Sequence, residues 1–308
     1  MKKTNDSVAS HYDGAAENYH LQYERKFLAD TSRSYPANYF RMHLLINSFV
    51  KNGLKNVVEI GVGEGTPLVQ LAKAGMNVSG VDISQSMVEK AKNNFKNNGL
   101  DENLISWGDI QDPMTYNHLL QAGKYDGLLA MGVMPHVHND EFVLTNMKNM
   151  VKPGGKVFIE FRNKLFSLFT FNRYTKEFIL DDLLSGVSTE LKRLVEADLD
   201  KRLEINKPKP RLTEFNPGSN EGGYVGYDAI LSKFHNPFEV QELFKKLGFS
   251  DVNFLWYHYH PAMPFISEKS EELFRNEALR LEHDVSGWRG FFLCSAFVIE
   301  ATVNEQFL

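Results

Sequence analysis

The sequence predicts an α/β fold built on a doubly wound sheet, and three observations carry that reading. An apolar run over residues 56–60 ends in the glycine turn Gly61-Val62-Gly63-Glu64-Gly65 and passes into a helix pattern at 67–74. Strand and helix patterns then alternate as far as residue 161. After a long interruption, a helix and two more strand patterns return over 236–308. Such alternation reads as strands joined by crossover helices rather than as an all-β or all-α chain.

Each element has its own justification. A glycine turn between strand and helix lets the backbone approach a ligand closely, because no Cβ intervenes. In the dinucleotide fingerprint Gly-x-Gly-x-x-Gly, the following helix N-terminus faces a pyrophosphate. Here Gly65 comes one residue early, Thr66 stands where that fingerprint wants Gly or Ala, and Glu59 would repel a pyrophosphate. An acid in that place suits a cationic or amine-bearing ligand. The second strand, 77–81, ends in Asp82, 23 residues after Glu59. That is close to the spacing of about 20 at which an acid meets a ribose. Ser84 caps a helix over 85–97, with Met87 in its first turn. A third strand at 104–107 ends in Gly108-Asp109-Ile110. A fourth, 125–131, runs into Gly132-Val133-Met134-Pro135-His136, and a fifth, 156–161, follows Lys152-Pro153-Gly154-Gly155.

The interruption at 162–235 is too long for a simple crossover. It carries an expected helix at 176–194 and loop signals at 206–210 and 216–219. Asn236-Pro237 then opens a helix over 238–247, which Gly248 stops. Strands follow at 252–259 and 291–301, with a helical stretch at 267–282 between them.

Glu59-x-Gly61-x-Gly63-x-Gly65, with Asp82 and Gly108-Asp109-Ile110 downstream, resembles the class I S-adenosylmethionine (SAM) methyltransferases. The resemblance covers roughly residues 40–161 and has a compatible C-terminal end. It implies a Rossmann-like seven-stranded sheet with an antiparallel last strand, and SAM as the cofactor. The chain then divides into an N-terminal helical lid (1–50), a SAM-binding core (51–161), a cap inserted after the fifth strand (162–235) and the rest of the core (236–308). Carried over, the resemblance assigns Glu59, Gly61, Gly63, Gly65, Ile83, Met87, Gly108, Ile110, Met131 and Gly132 to the cofactor. It gives Asp82 the ribose hydroxyls and Asp109 the exocyclic amine of adenine. Tyr12-Asp13-Gly14-Ala15-Ala16-Glu17-Asn18-Tyr19 is similar to a segment that opens many small-molecule members, which adds Tyr19 for the cofactor and Tyr12 for the acceptor.

Ligands of open α/β sheets bind outside the carboxyl ends of the strands. That rule brings the cap, the N-terminal helices and the 260–290 loop to one cleft, with the cap as a lid over a methyl acceptor. Arg162, Asn163, Arg173, Tyr174, His258 and His260 are the remaining acceptor-side candidates, the arginines for an anionic group. Methyl transfer from a sulfonium is an in-line displacement that needs positioning, and a hydroxyl acceptor also needs a base. His136 is the candidate base, because it follows the fourth strand where this family commonly places acceptor-side groups. His138 lies beside it without a clear third ligand, so no metal is expected. The fourth strand lacks the Asn/Asp-Pro-Pro-Tyr/Phe motif that marks methylation of adenine, cytosine or glutamine.

The expectation is O-methylation of a sugar-like or other specialised small molecule. N- or C-methylation and a SAM-binding partner subunit without turnover are the alternatives. Across 308 residues the net charge is −5 with no long basic run, which argues against a nucleic-acid partner. No apolar run reaches 18 residues, and the single cysteine, Cys294, falls in an apolar run as a buried thiol. These observations point to a cytoplasmic protein off the membrane, as a monomer or homodimer.

Overall fold

The computed structural model describes residues 8–9, 23–25, 28, 30–31, 35–121, 125–203 and 231–304. Its strands are β1 (Asn56–Ile60), β2 (Asn77–Asp82), β3 (Ile105–Trp107), β4 (Tyr125–Ala130), β5 (Val151–Arg162), β6 (Phe249–Tyr259) and β7 (Cys294–Val303). They form one sheet in the order β3-β2-β1-β4-β5-β7-β6. β7 runs antiparallel to both β5 and β6, and the other pairings are parallel. The expected seven-stranded sheet with its antiparallel last strand is therefore present. The order reverses between β1 and β4, and a crevice opens there at the carboxyl ends.

The sheet is buried on both faces, which explains its unbroken apolar runs. All six residues of β4 are buried. Leu128 and Ala130 face one core with Val58, Ile159, Phe161, Leu144 and Phe244. Leu129 faces the other with Val57, Phe158, Phe49, Leu68 and Phe95. The helices covering these faces are α1 (Ala37–Lys51), α2 (Thr66–Lys73), α3 (Gln85–Asn97), α4 (Asp140–Met150) and, late in the chain, α6 (Pro237–Lys246). Ser84 caps α3 by accepting from the Met87 N–H, and Asn236 caps α6 from Phe238.

Several local expectations are corrected. The helix expected over 176–194 is broken into Arg173–Glu177, a π-turn at Phe178–Leu183 and α5 (Thr189–Leu203). Gly186 at φ +79° ends the first part, and the Ser188 hydroxyl accepts from Leu191 N–H to start the second. The stretch at 267–282 divides at Ser270, whose extended φ of −161° separates a 3₁₀ turn, Pro264–Lys269, from α7 (Glu271–Leu281). The final strand begins at Cys294, because Gly290–Leu293 make a helical turn against Trp256. Leu104 belongs to a 3₁₀ turn. Lys152-Pro153-Gly154-Gly155 lies within β5 beside a register shift instead of preceding the strand. The loops at 206–210 and 216–219 fall outside the described residues.

One buried ion pair ties α1 to the sheet. Arg41 donates to Glu160 on β5 at 2.5 Å, both side chains being under a tenth exposed. Arg41→Ala leaves the Glu160 carboxylate in the interior without its counter-charge and is expected to cost about 3–5 kcal/mol. Denaturant unfolding checks this, and Arg41→Met with Glu160→Met together should recover most of the loss.

Candidate functional site

The glycine turn explains its own composition. Gly61, Gly63 and Gly65 all have positive φ, at 77°, 54° and 83°. A side chain is costly in that conformation. Gly61 N–H donates to the Val81 carbonyl at 2.8 Å, which ties the turn to β2. A Cβ on Gly61 would lie 2.6 Å from Val133 Cγ2. Asp82, at the end of β2, holds the turn from the other side. Its two carboxylate oxygens accept from Gly63 N–H and Ser84 N–H, each at 2.8 Å. Asp109 is set the same way: its carboxylate accepts from Gln111 N–H at 2.9 Å, and its own N–H donates to Thr115 Oγ1 at 2.8 Å.

These elements surround an open cleft of about 780 Å³ at the carboxyl ends of β1, β2, β3 and β4. Of the residues assigned from the sequence, Gly61, Gly63, Asp82, Ile83, Met87, Gly108, Asp109, Ile110, Met131, Gly132 and His136 line it. Sequence reasoning missed Val8, Ile60, Gln111, Val133 and Val137. Gln111, Val133 and Val137 stand beside assigned residues, so the motif positions were the available signal. Gly65 and Glu59 do not line the cleft. Gly65 instead lets α2 start against α3, where a Cβ would meet Ala91 Cβ at 3.2 Å. Tyr12 and Tyr19 lie outside the described residues.

Glu59 sits beneath the turn, 1 % exposed, and its Oε2 has no hydrogen-bond partner among the described residues. Burial pushes its carboxyl well above the usual range. The Arg41 charge opposes that, while Asp82 and Glu64 add to it. Three acidic side chains stand around one glycine turn and make an acceptor-rich floor, with Glu59 itself held toward its neutral form. That floor fits a cofactor carrying an ammonium and a sulfonium, and it opposes a pyrophosphate. The glycine cradle and the strand-end carboxylate together meet the requirements of SAM.

His136 borders the cleft in a 3₁₀ turn, Met134–His136, directly after the β4 loop. Its Nδ1 lies 2.6 Å from the Leu231 carbonyl. A carbonyl oxygen only accepts, so Nδ1 carries the proton, and in the neutral ring the basic lone pair falls on Nε2. Among the described residues no group of three or more His, Cys, Asp or Glu side chains is arranged to hold a metal ion.

The remaining acceptor-side candidates separate. Asn163 is a structural clamp and not a ligand: its amide donates to the Phe291 and Cys294 carbonyls at 2.8 Å each, and its oxygen accepts from Leu165 N–H. Arg162 donates to Ser232 Oγ and lies over the Phe234 ring, which Tyr174 also meets. Arg173 lies over the Tyr174 ring and donates to its hydroxyl. None of these lines the cleft. His258 and His260 line a second cavity at the carboxyl end of β6, with Tyr35, Phe274 and Arg275. Burial lowers both histidines, to about 3 and about 4, so both are neutral near pH 7.

The methyltransferase-domain family matches residues 51–204, half of the chain. The ubiquinone biosynthesis O-methyltransferase of Coxiella burnetii is 30 % identical over 132 residues, covering 43 % of this chain and 54 % of that protein. The protein of the same name from Dechloromonas aromatica is 29 % identical over 134 residues, covering 43 % and 55 %. The chain thus spans about half the length of these curated relatives. A SAM-dependent methyltransferase structure from Archaeoglobus fulgidus is 15 % identical, covering 92 % of this chain and 99 % of that one, with a TM-score of 0.42. The sheet order, the glycine cradle with its strand-end acids, and the family match over the segment that builds them lead to one conclusion: the chain belongs to the methyltransferase-domain family, with the class I SAM-dependent fold.

Proposed function

We propose that this protein transfers the SAM methyl group to a hydroxyl of a small molecule, with His136 as the base. The observation that carries this reading is that His136 lines the same cleft as Gly61, Gly63 and Asp82, so the cofactor cradle and an imidazole share one cavity. The bound cofactor supplies an electrophilic methyl group on a sulfonium. Asp82 accepts from the ribose, Asp109 from the adenine amine, and the charge of the acid-lined floor favours the cationic end. His136 accepts the hydroxyl proton through Nε2, which raises the nucleophilicity of the oxygen. The names of the curated relatives support an O-methyltransferase and do not point to a sugar, so a sugar-like acceptor is one arm of the test.

The test has two steps. Isothermal titration is expected to show SAM binding and no NAD binding. Incubation with SAM and a panel of phenols, catechols and hexoses is then expected to release S-adenosylhomocysteine with at least one hydroxylated acceptor. NAD binding in place of SAM would overturn the cofactor assignment. SAM binding with turnover only on amines would overturn the hydroxyl acceptor.

A further inference from the structure

His136 lies under residues 231–235, and this strap is bound along its whole length. Lys233 N–H donates to the Pro135 carbonyl at 2.9 Å, next to the Leu231 contact on His136. His235 N–H donates to the Arg162 carbonyl at 2.8 Å, and its own carbonyl accepts from Lys164 N–H at 2.9 Å. Here the strap runs parallel to the chain leaving β5. Its side chains meet a single acid. Asp140 takes Lys233 Nζ on one oxygen and His235 Nε2, at 3.2 Å, on the other. Burial alone would raise the Asp140 carboxyl, but the bonds and charges of His235 and Lys233 prevail and hold it below the usual range.

Asp140 is also the first residue of α4, whose cap Asn139 accepts from Phe142 N–H at 3.0 Å. The acid that grips the strap is therefore fixed to a helix start four residues beyond His136. Free neutral histidine in water favours the opposite tautomer, with the proton on Nε2. The Nδ1–H form here depends on the Leu231 carbonyl staying in place, and that carbonyl depends on the strap.

We propose that Asp140 is a positioning residue for methyl transfer: through Lys233 and His235 it holds the 231–235 strap so that the Leu231 carbonyl keeps the His136 proton on Nδ1 and leaves Nε2 to accept the hydroxyl proton. The catalytic half of this statement rests on His136 being the base. The tautomer half does not.

The test uses the full chain labelled with ¹⁵N-histidine and long-range ¹H–¹⁵N correlation, with the His136 signals identified by their loss in His136→Gln. The wild type is expected to show His136 protonated on Nδ1. Asp140→Ala is expected to shift it toward the Nε2–H form, leave the SAM Kd within about twofold, and lower kcat on the hydroxyl acceptor roughly tenfold with little change in KM. Asp140→Glu should restore most of both signals. Lys233→Met, on the outer side of the latch, should give the same shift in smaller measure if Asp140→Ala proves unstable. A merely structural latch predicts a lower Tm with His136 still on Nδ1, and that result overturns the proposal. Full turnover by His136→Gln would remove the base assignment while leaving the tautomer measurement valid, so the two failures are distinguishable.

Discussion

His136→Ala is expected to lower kcat on a hydroxyl acceptor by about 10²–10⁴-fold, the range typical of losing a positioned general base, while the SAM Kd stays nearly unchanged. The separation follows from the geometry. The groups assigned to the cofactor project from the ends of β1, β2 and β3 and from the first residues after β4. His136 stands four residues beyond Gly132, on the far side of that loop. Removing the imidazole thus takes away the proton acceptor and leaves the cradle intact. One side effect has to be separated: the Leu231 carbonyl loses its donor, which costs about 1–3 kcal/mol if it stays buried. His136→Gln keeps a donor in that place without a basic nitrogen, so it should be as inactive as alanine and more stable. S-adenosylhomocysteine release and SAM titration on both variants check this. An acceptor with a neutral amine needs no base, and a loss below about fivefold would point to such an acceptor.

What was legible in the sequence was mostly local. Gly61, Gly63 and Gly65 are demanded by positive φ within five residues, and Ser84 caps a helix three residues away. Asp82 is reached through strand spacing, since β1 and β2 pair in register. The residues that the structure sets apart from the cleft depend on distant partners. Asn163 looks like a polar acceptor ligand next to Arg162, but it is consumed by carbonyls about 130 residues later in the chain. His258 and His260 share a rim with the cleft yet stand at the far strand, β6, beyond β5 and β7. The broken helix over 176–194 turned on Gly186, whose left-handed conformation outweighs a continuous helical pattern. Glu59 was read as a cofactor contact. The structure places it one layer lower, buried beneath the turn and outside the lining of the cleft.

Asp82→Ala is expected to weaken SAM binding by at least 100-fold, about 3 kcal/mol or more, because one carboxylate does two jobs. It fixes the cradle by accepting from Gly63 N–H and Ser84 N–H, and hydrogen bonds to a charged group contribute about 1.5–3 kcal/mol each. It also presents the remaining acceptor capacity to the ribose. Alanine therefore removes the ligand contact and frees the turn that the ligand needs, so more is lost than a ribose contact alone. Folding stability should suffer less than affinity. Asp82 is one of the charges that burden the buried Glu59, and removing it relieves part of that repulsion. Asp82→Asn keeps one acceptor oxygen but turns an NH₂ toward the other backbone donor, so it should bind SAM only slightly better than alanine. Titration and thermal unfolding of the three proteins measure both quantities. A SAM Kd within threefold of wild type in Asp82→Ala would mean that the ribose is held elsewhere, and the assignment of this strand-end acid would have to be abandoned.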